Sequence, residues 1–219
     1  MAEMADARAE LDRWGGELHE RVAELVAVCT PGAEVRPPAE PRVADWHEPV
    51  RYRHTLTVRA TRDPAVAPAA LAERAAAALA AAGWTVHREA PDGPDGPLIV
   101  SGTRPELALR VRFSTTSTVV LYTGETAAVA LRPPASLDAP PPVRTADDVD
   151  DGYLLCYECA GTGWCPQCHG RGWIPDEQRG RRRCPECFDR RVCPVCEGAG
   201  QLAVATLTPA QRANYGHQT

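Results

Sequence analysis

Residues 156–200, CYECAGTGWCPQCHGRGWIPDEQRGRRRCPECFDRRVCPVCEGAG, decide how the C-terminal part of this chain folds. The stretch holds four Cys-x-x-Cys pairs: Cys156 and Cys159, Cys165 and Cys168, Cys184 and Cys187, Cys193 and Cys196. Three of them continue as Cys-x-x-Cys-x-Gly-x-Gly, with Gly161 and Gly163, Gly170 and Gly172, and Gly198 and Gly200 at the glycine positions. The pair at Cys184 keeps its thiols and loses both glycines. Two thiols separated by two residues can grip one metal ion from a tight knuckle whose backbone N–H groups point at the sulfurs. Glycine at the following positions permits the positive φ values that continue such a turn. Zinc in a closed structural site takes four ligands in a tetrahedron, so two knuckles make one site and four make two.

Loop lengths bear on which knuckles pair. Cys159 to Cys165 and Cys187 to Cys193 leave five intervening residues each, much of which the turns consume, whereas Cys168 to Cys184 leaves fifteen. The longer loop suits a two-knuckle zinc ribbon. Nested sites follow: Cys165, Cys168, Cys184 and Cys187 for one zinc, Cys156, Cys159, Cys193 and Cys196 for the other. Sequential pairing of neighbouring knuckles is the alternative.

The four repeats resemble the cysteine-rich zinc domain of DnaJ-type co-chaperones, over about residues 153–203. That resemblance implies a strand-poor module in which the first repeat shares a zinc with the fourth and the second with the third, and it implies a role in binding protein clients. The chain departs from the family in its shorter spacing between repeats and in the glycine-free third repeat. It has neither a His-Pro-Asp tripeptide nor a Gly/Phe-rich segment. Without a J-domain, no stimulation of a heat-shock ATPase is expected, and the chain looks more like stand-alone relatives of the domain.

Outward from the cysteines, residues 133–152 carry five prolines and five aspartates with no apolar periodicity, the composition of a linker. Upstream, Leu11, Trp14, Leu18, Val22, Leu25 and Cys29 recur at steps of three and four, which predicts a helix over residues 3–29, weakened by Gly15 and Gly16. RYRHTLTVRA (51–60) alternates and reads as one half-buried strand with Tyr52, His54, Leu56 and Val58 inward. Pro68 and Gly83 bracket a second helix over 67–82. WTVHR, PLIVSG, ELALRVRFS, STVVLYT and AAVAL, between residues 84 and 131, then read as short strands. The fold expected is α+β: an N-terminal antiparallel sheet with two helices on one face (1–132), a Pro/Asp-rich linker (133–152), a two-zinc knuckle hairpin (153–207) and a short tail (208–219). In the tail, a strand near 201–207 is expected to close the base of the hairpin, and Thr208 ahead of Pro209 caps a helical turn.

Composition sets further limits. The chain has 219 residues, a formal net charge of −5 and 24 basic residues, all arginine, so arginine clusters carry little information by themselves. The three segments carry −3, −4 and +2, and eight thiolates with two divalent ions turn the last into −2. Arginines near the cysteines therefore compensate local charge, which disfavours nucleic acid as partner; the alternative is a nucleic-acid-binding module using Arg179 to Arg183. No stretch is apolar enough for a membrane span, the first twenty residues lack a signal-peptide core, and cysteine clustering fits a reducing compartment, so a cytoplasmic protein is expected. The zinc module is expected to bind a protein partner, with Trp164, Trp173 and Phe188 as candidate contacts. A purely structural staple is the other reading. His54, His87 and Cys29 form no catalytic set, so no enzyme is expected; thiol-disulfide exchange at Cys184 and Cys187 is the alternative chemistry.

Overall fold

The computed structural model describes residues 2–93, 95–136, 138 and 140–215. The chain divides into two compact units, Met1–Pro133 and Pro134–Thr219.

The first unit opens with α1 (Ala2–Cys29), whose stripe Leu11, Trp14, Leu18, Val22, Leu25 and Cys29 is buried throughout. Next come β1 (Arg42–Asp45), β2 (Arg51–Arg53), β3 (Thr55–Thr61), α2 (Pro68–Ala81), β4 (Thr85–Glu89), β5 (Leu98–Thr103), β6 (Leu107–Phe113), β7 (Val119–Thr126) and β8 (Val129–Ala130). Five strands form an antiparallel sheet in the order β3-β7-β6-β5-β4, and β1-β2-β8 form a second, smaller sheet. Alternation decides the faces: Leu56, Val58 and Ala60 of β3 and Leu107, Leu109, Val111 and Phe113 of β6 are buried beneath the helices. Thr57, Arg59, Arg110 and Arg112 point to the opposite, polar face. Helix α1 lies over β7 and α2 over β4 and β5, so both helices cover one face of the sheet. Leu71, Ala75, Ala76 and Leu79 are the buried row of α2.

Three local readings change. RYRHTLTVRA is two strands in different sheets, broken at His54, whose N–H donates to the Thr126 hydroxyl and whose carbonyl accepts from the Thr126 N–H, both at 3.1 Å. AAVAL contributes only Val129–Ala130, which pair with β2 rather than extending the large sheet. β1 lies in the Pro-rich passage, where four residues offer too short an alternation to read.

The second unit contains β9 (Tyr153–Leu155), β10 (Trp173–Asp176), β11 (Gly180–Arg183), β12 (Gln201–Ala203), a 3₁₀ turn (Val204–Thr206) and α3 (Pro209–Ala213). Thr208 caps α3 through a capping box with Gln211. The Pro/Asp-rich stretch from Pro134 belongs to this unit, and hydrogen bonds tie it down from Val143 onward. The N–H groups of Val143 and Arg144 both donate to the Gly161 carbonyl, at 3.0 and 2.9 Å, and the Asp150 N–H donates to Gln201 Oε1 at 3.1 Å. Its composition signals the lack of a core, and backbone hydrogen bonds hold it instead.

Candidate metal centres

A single antiparallel register runs the length of the cysteine module. Tyr153 stands opposite Ala203, Trp164 opposite Val192, Trp173 opposite Arg183 and Asp176 opposite Gly180. Between these rungs the knuckles bulge outward, two on each arm, and main-chain bonds keep the arms level: Cys156 N–H to Gly200 O (2.9 Å), Cys193 N–H to Gly163 O (2.9 Å), Cys165 N–H to Arg191 O (3.0 Å) and Cys184 N–H to Gly172 O (3.0 Å). Because Cys156 to Cys165 and Cys184 to Cys193 span equal lengths of chain, each arm reaches the next knuckle in step. That equality was visible in the sequence and points to the same nesting as the loop lengths.

The knuckles bring the eight thiols into two groups, Cys156, Cys159, Cys193 and Cys196, and Cys165, Cys168, Cys184 and Cys187, with the sulfurs of each group within 4.8 Å of one another. The cross-arm Sγ distances are 3.9 Å for Cys156 and Cys193, 3.7 Å for Cys159 and Cys196, 3.8 Å for Cys165 and Cys184, and 3.7 Å for Cys168 and Cys187. Four sulfurs held about 2.3 Å from a central ion at tetrahedral angles stand about 3.8 Å apart. The thiols are thus already at the spacing one ion requires, and all eight are buried and free of disulfides.

Each knuckle also aims N–H groups at its sulfurs. The first thiol of each pair accepts from two backbone amides: Cys156 from Cys159 and Glu158, Cys165 from Cys168 and Gln167, Cys184 from Cys187 and Glu186, Cys193 from Cys196 and Val195. The second accepts from the residue four positions on, at 3.3 Å from Gly163 to Cys159, Gly172 to Cys168 and Gly200 to Cys196, with Arg191 serving Cys187. Burial pushes the Cys156 thiol well up, Cys165 to about 12 and Cys193 to about 11. At Cys159 and Cys184 burial pushes the same way, but the amides and neighbouring thiols outweigh it and hold these groups below the usual range. An ion held by either group of thiols would displace protons from the raised thiols, and the N–H groups would serve the resulting thiolates.

The knuckle turns are left-handed in every repeat. Ala160, His169, Phe188 and Glu197 have φ of 48°, 49°, 47° and 51°. At the glycine positions φ runs from 71° to 96° in the three regular repeats, and in the third Asp189 and Arg191 adopt 64° and 70° without being glycine. Arg183 braces that turn, with Nε 3.0 Å from the Asp189 carboxylate and a second nitrogen 2.6 Å from the Phe188 carbonyl.

The candidate contact residues separate. Trp164 is half-buried and stacks over Gly170, where a Cβ would stand 3.1 Å from the ring. Trp173 is half-buried beneath two guanidinium groups, Arg171 at 5.3 Å and Arg181 at 3.9 Å from its ring centroid. Phe188 alone of the three is open, at 59% exposure. Sequence reasoning missed Val143, Leu154 and Val204, which are also exposed, Leu154 within β9 and Val204 directly after β12. Of the arginine run, Arg182 faces Asp176 at 3.9 Å, Arg183 is taken by Asp189 and Arg181 by Trp173.

In the first unit, His54 Nδ1 lies 2.9 Å from the Ala39 carbonyl and Nε2 3.0 Å from Asp12 Oδ1, tying α1 to the break between β2 and β3. His87 is exposed on β4, and Cys29 is buried with its thiol raised by that burial. Among the described residues, the two cysteine groups are the candidate metal sites, and no helix is long and apolar enough to cross a membrane. No family model, curated protein or solved structure matches the chain.

Proposed function

We propose that residues 153–207 are a two-zinc module of the DnaJ-type cysteine-rich kind, and that the surface folded around the metals docks a protein partner without J-domain or enzymatic activity. The nested four-sulfur groups, spaced for a tetrahedral ion and served by amide donors, carry the metal reading. An all-thiolate tetrahedral set with no open position suits structural zinc. The staple function is contained in this reading: among the described residues, the buried side chains of the second unit are the eight cysteines with Gln201 and Leu207, too few apolar groups to fold it without metal. Protein docking is supported by large apolar side chains left open at Phe188, Val143, Tyr153, Leu154 and Val204. Nucleic acid is a poorer partner, since Arg181, Arg182 and Arg183 already have local contacts and both thiolate sites add negative charge.

Elemental analysis of protein purified without chelator is expected to give two zinc ions per chain; zero or one overturns the assignment. Phe188→Ala is expected to weaken capture of a partner by the zinc-loaded chain at unchanged zinc content. Equal capture by wild type, Phe188→Ala and the metal-stripped chain would remove the docking role and leave the staple.

A further inference from the structure

We propose that the free edge of β9, with the apolar groove beside it, receives an extended peptide of alternating apolar and cationic residues. This site rests on the docking reading of the module and gives it a place and a partner chemistry.

Among the described residues, strand β9 has β12 on one side and no strand on the other. Cys156 N–H donates to Gly200 O and Val204 N–H to Gly152 O, both at 2.9 Å, so residues 152, 154 and 156 turn their main-chain groups toward β12. In an antiparallel ladder the residues between them turn theirs the other way. Leu155 therefore offers its main-chain groups to the open edge, and Tyr153 its carbonyl, since the Tyr153 N–H donates to the Asp150 carbonyl at 3.0 Å. The Leu155 carbonyl is seen there, accepting from Tyr215 Oη at 2.7 Å. An incoming strand bonding both the N–H and the C=O of Leu155 would make the narrow pair that begins strand addition.

The groove along this edge has a volume of about 450 Å³ and is lined by Ala146, Val149, Tyr153, Leu155, Tyr157 and Tyr215. Tyr153 and Leu154 leave it 41% and 38% exposed. Exposed carboxylates adjoin its lining residues along the chain: Asp147 and Asp148 stand between Ala146 and Val149, and Asp151 and Glu158 flank β9 and Tyr157, with Asp148 accepting from the Thr145 N–H and hydroxyl. Arg144, the cation of this segment, is paired with Asp150. Cys156 also lines the groove, so a four-thiolate zinc site places a net −2 behind it. An apolar floor with carboxylates adjoining it selects apolar side chains interleaved with Arg or Lys.

Tyr215 holds the place such a peptide would take. Its ring stands edge-on to Tyr157, centroids 5.7 Å apart at 84°, and its hydroxyl occupies the carbonyl that a peptide amide would bond. The short helix α3 delivers it, so a peptide enters by displacing a one-turn element rather than by opening the module.

The test uses the full zinc-loaded chain and a fluorescein-labelled ten-residue peptide alternating Val and Arg, followed by fluorescence anisotropy. Binding is expected, at least tenfold tighter than for the matching Val–Glu peptide and for a Val–Arg peptide N-methylated at alternate amides. Asp147→Asn with Asp151→Asn is expected to weaken it severalfold, and Tyr215→Ala to tighten it severalfold at unchanged zinc content. A two-zinc chain that ignores the peptide, or that binds the Val–Glu or N-methylated peptide equally well, overturns this site while leaving the docking reading intact. A chain that takes up no zinc overturns both. A dimer by light scattering that dissociates when β9 is altered would give the edge to a second copy and overturn the peptide assignment.

Discussion

At Gly15 an ideal Cβ would stand 2.7 Å from His54 Cδ2, whereas at Gly16 nothing lies within 4 Å. Helix propensity treats the two alike and favours alanine over glycine by about 1 kcal/mol at each. Their environments oppose that equality. Gly16→Ala is expected to raise the stability of the first unit by about 0.5–1 kcal/mol, and Gly15→Ala to lower it by about 1–3 kcal/mol, because His54 is held by Asp12, Ala39 and Thr126 and cannot move aside. Urea unfolding of the two variants checks this; equal shifts of the midpoint would contradict it. The sequence showed two helix-weakening glycines but not that one of them makes room for the histidine at the break between β2 and β3, about forty residues away. The same logic applies at the knuckles. Arg191 occupies a left-handed position that glycine fills in the other repeats, so Arg191→Gly is expected to relieve about 1 kcal/mol of strain and slow zinc loss from Cys165, Cys168, Cys184 and Cys187 under chelator. Gly163→Ala places a Cβ 2.5 Å from the Gly198 carbonyl at φ 71°, and is expected to cost the Cys156, Cys159, Cys193 and Cys196 site its ion first. Cobalt substitution, read by thiolate charge-transfer absorption during chelator challenge, reports both. Faster loss from the Arg191→Gly protein would show that the third knuckle is not strained.

Elements were legible where a period or a spacing was long enough to count. The α1 stripe, the α2 brackets and the alternation of β5, β6 and β7 stand in the structure within one to three residues of their sequence bounds. The break at His54 was not legible, because the alternation continues across it. What changes is the ladder partner, since β2 joins β1 and β8 while β3 joins β7. In the second unit the spacing of the cysteines carried more than hydrophobic pattern could, since its strands are three or four residues long. Nesting has a direct consequence for single ligands. Cys187→Ser is expected to abolish one cobalt site and with it the spectroscopic contribution of Cys165 and Cys168, while Cys156, Cys159, Cys193 and Cys196 keep theirs. The retained site is expected to show about half the wild-type charge-transfer intensity. Loss of the Cys193 and Cys196 site together with Cys187 would favour sequential pairing, and retention of both sites would show that Cys187 is not a ligand.

Across the whole molecule the two units are stabilised by different physics. The first buries a continuous core of leucine, valine, alanine and aromatic side chains between helices and sheet, including Leu11, Leu18, Phe113 and Tyr122 at 0–1% exposure. The second buries two separate knots of cysteine, each with one or two apolar neighbours: Val195 and Leu202 beside one, Ile174 beside the other. Hydrophobic burial at about 25 cal/mol per Å² can sustain the first, but the second has little such area to offset the entropy of ordering its turns. Composition foretold this division, since eight of nine cysteines fall in one segment and the ninth, Cys29, in the other. Charge strengthens it: metal-free thiolates would repel across 3.7–3.9 Å, and two divalent ions remove half of their charge. Chelation is therefore expected to act on one unit and not the other. Hydrogen exchange after metal removal should show protection lost along β9 to β12 and at the knuckle amides that serve the sulfurs, with β5, β6 and β7 and both long helices unchanged. Restoring zinc should return the protection with a stoichiometry of two. Loss of protection in the sheet of the first unit on chelation, or survival of the knuckle amides without metal, would contradict this division of labour, and the second outcome would mean that the cysteine module folds on hydrogen bonds alone.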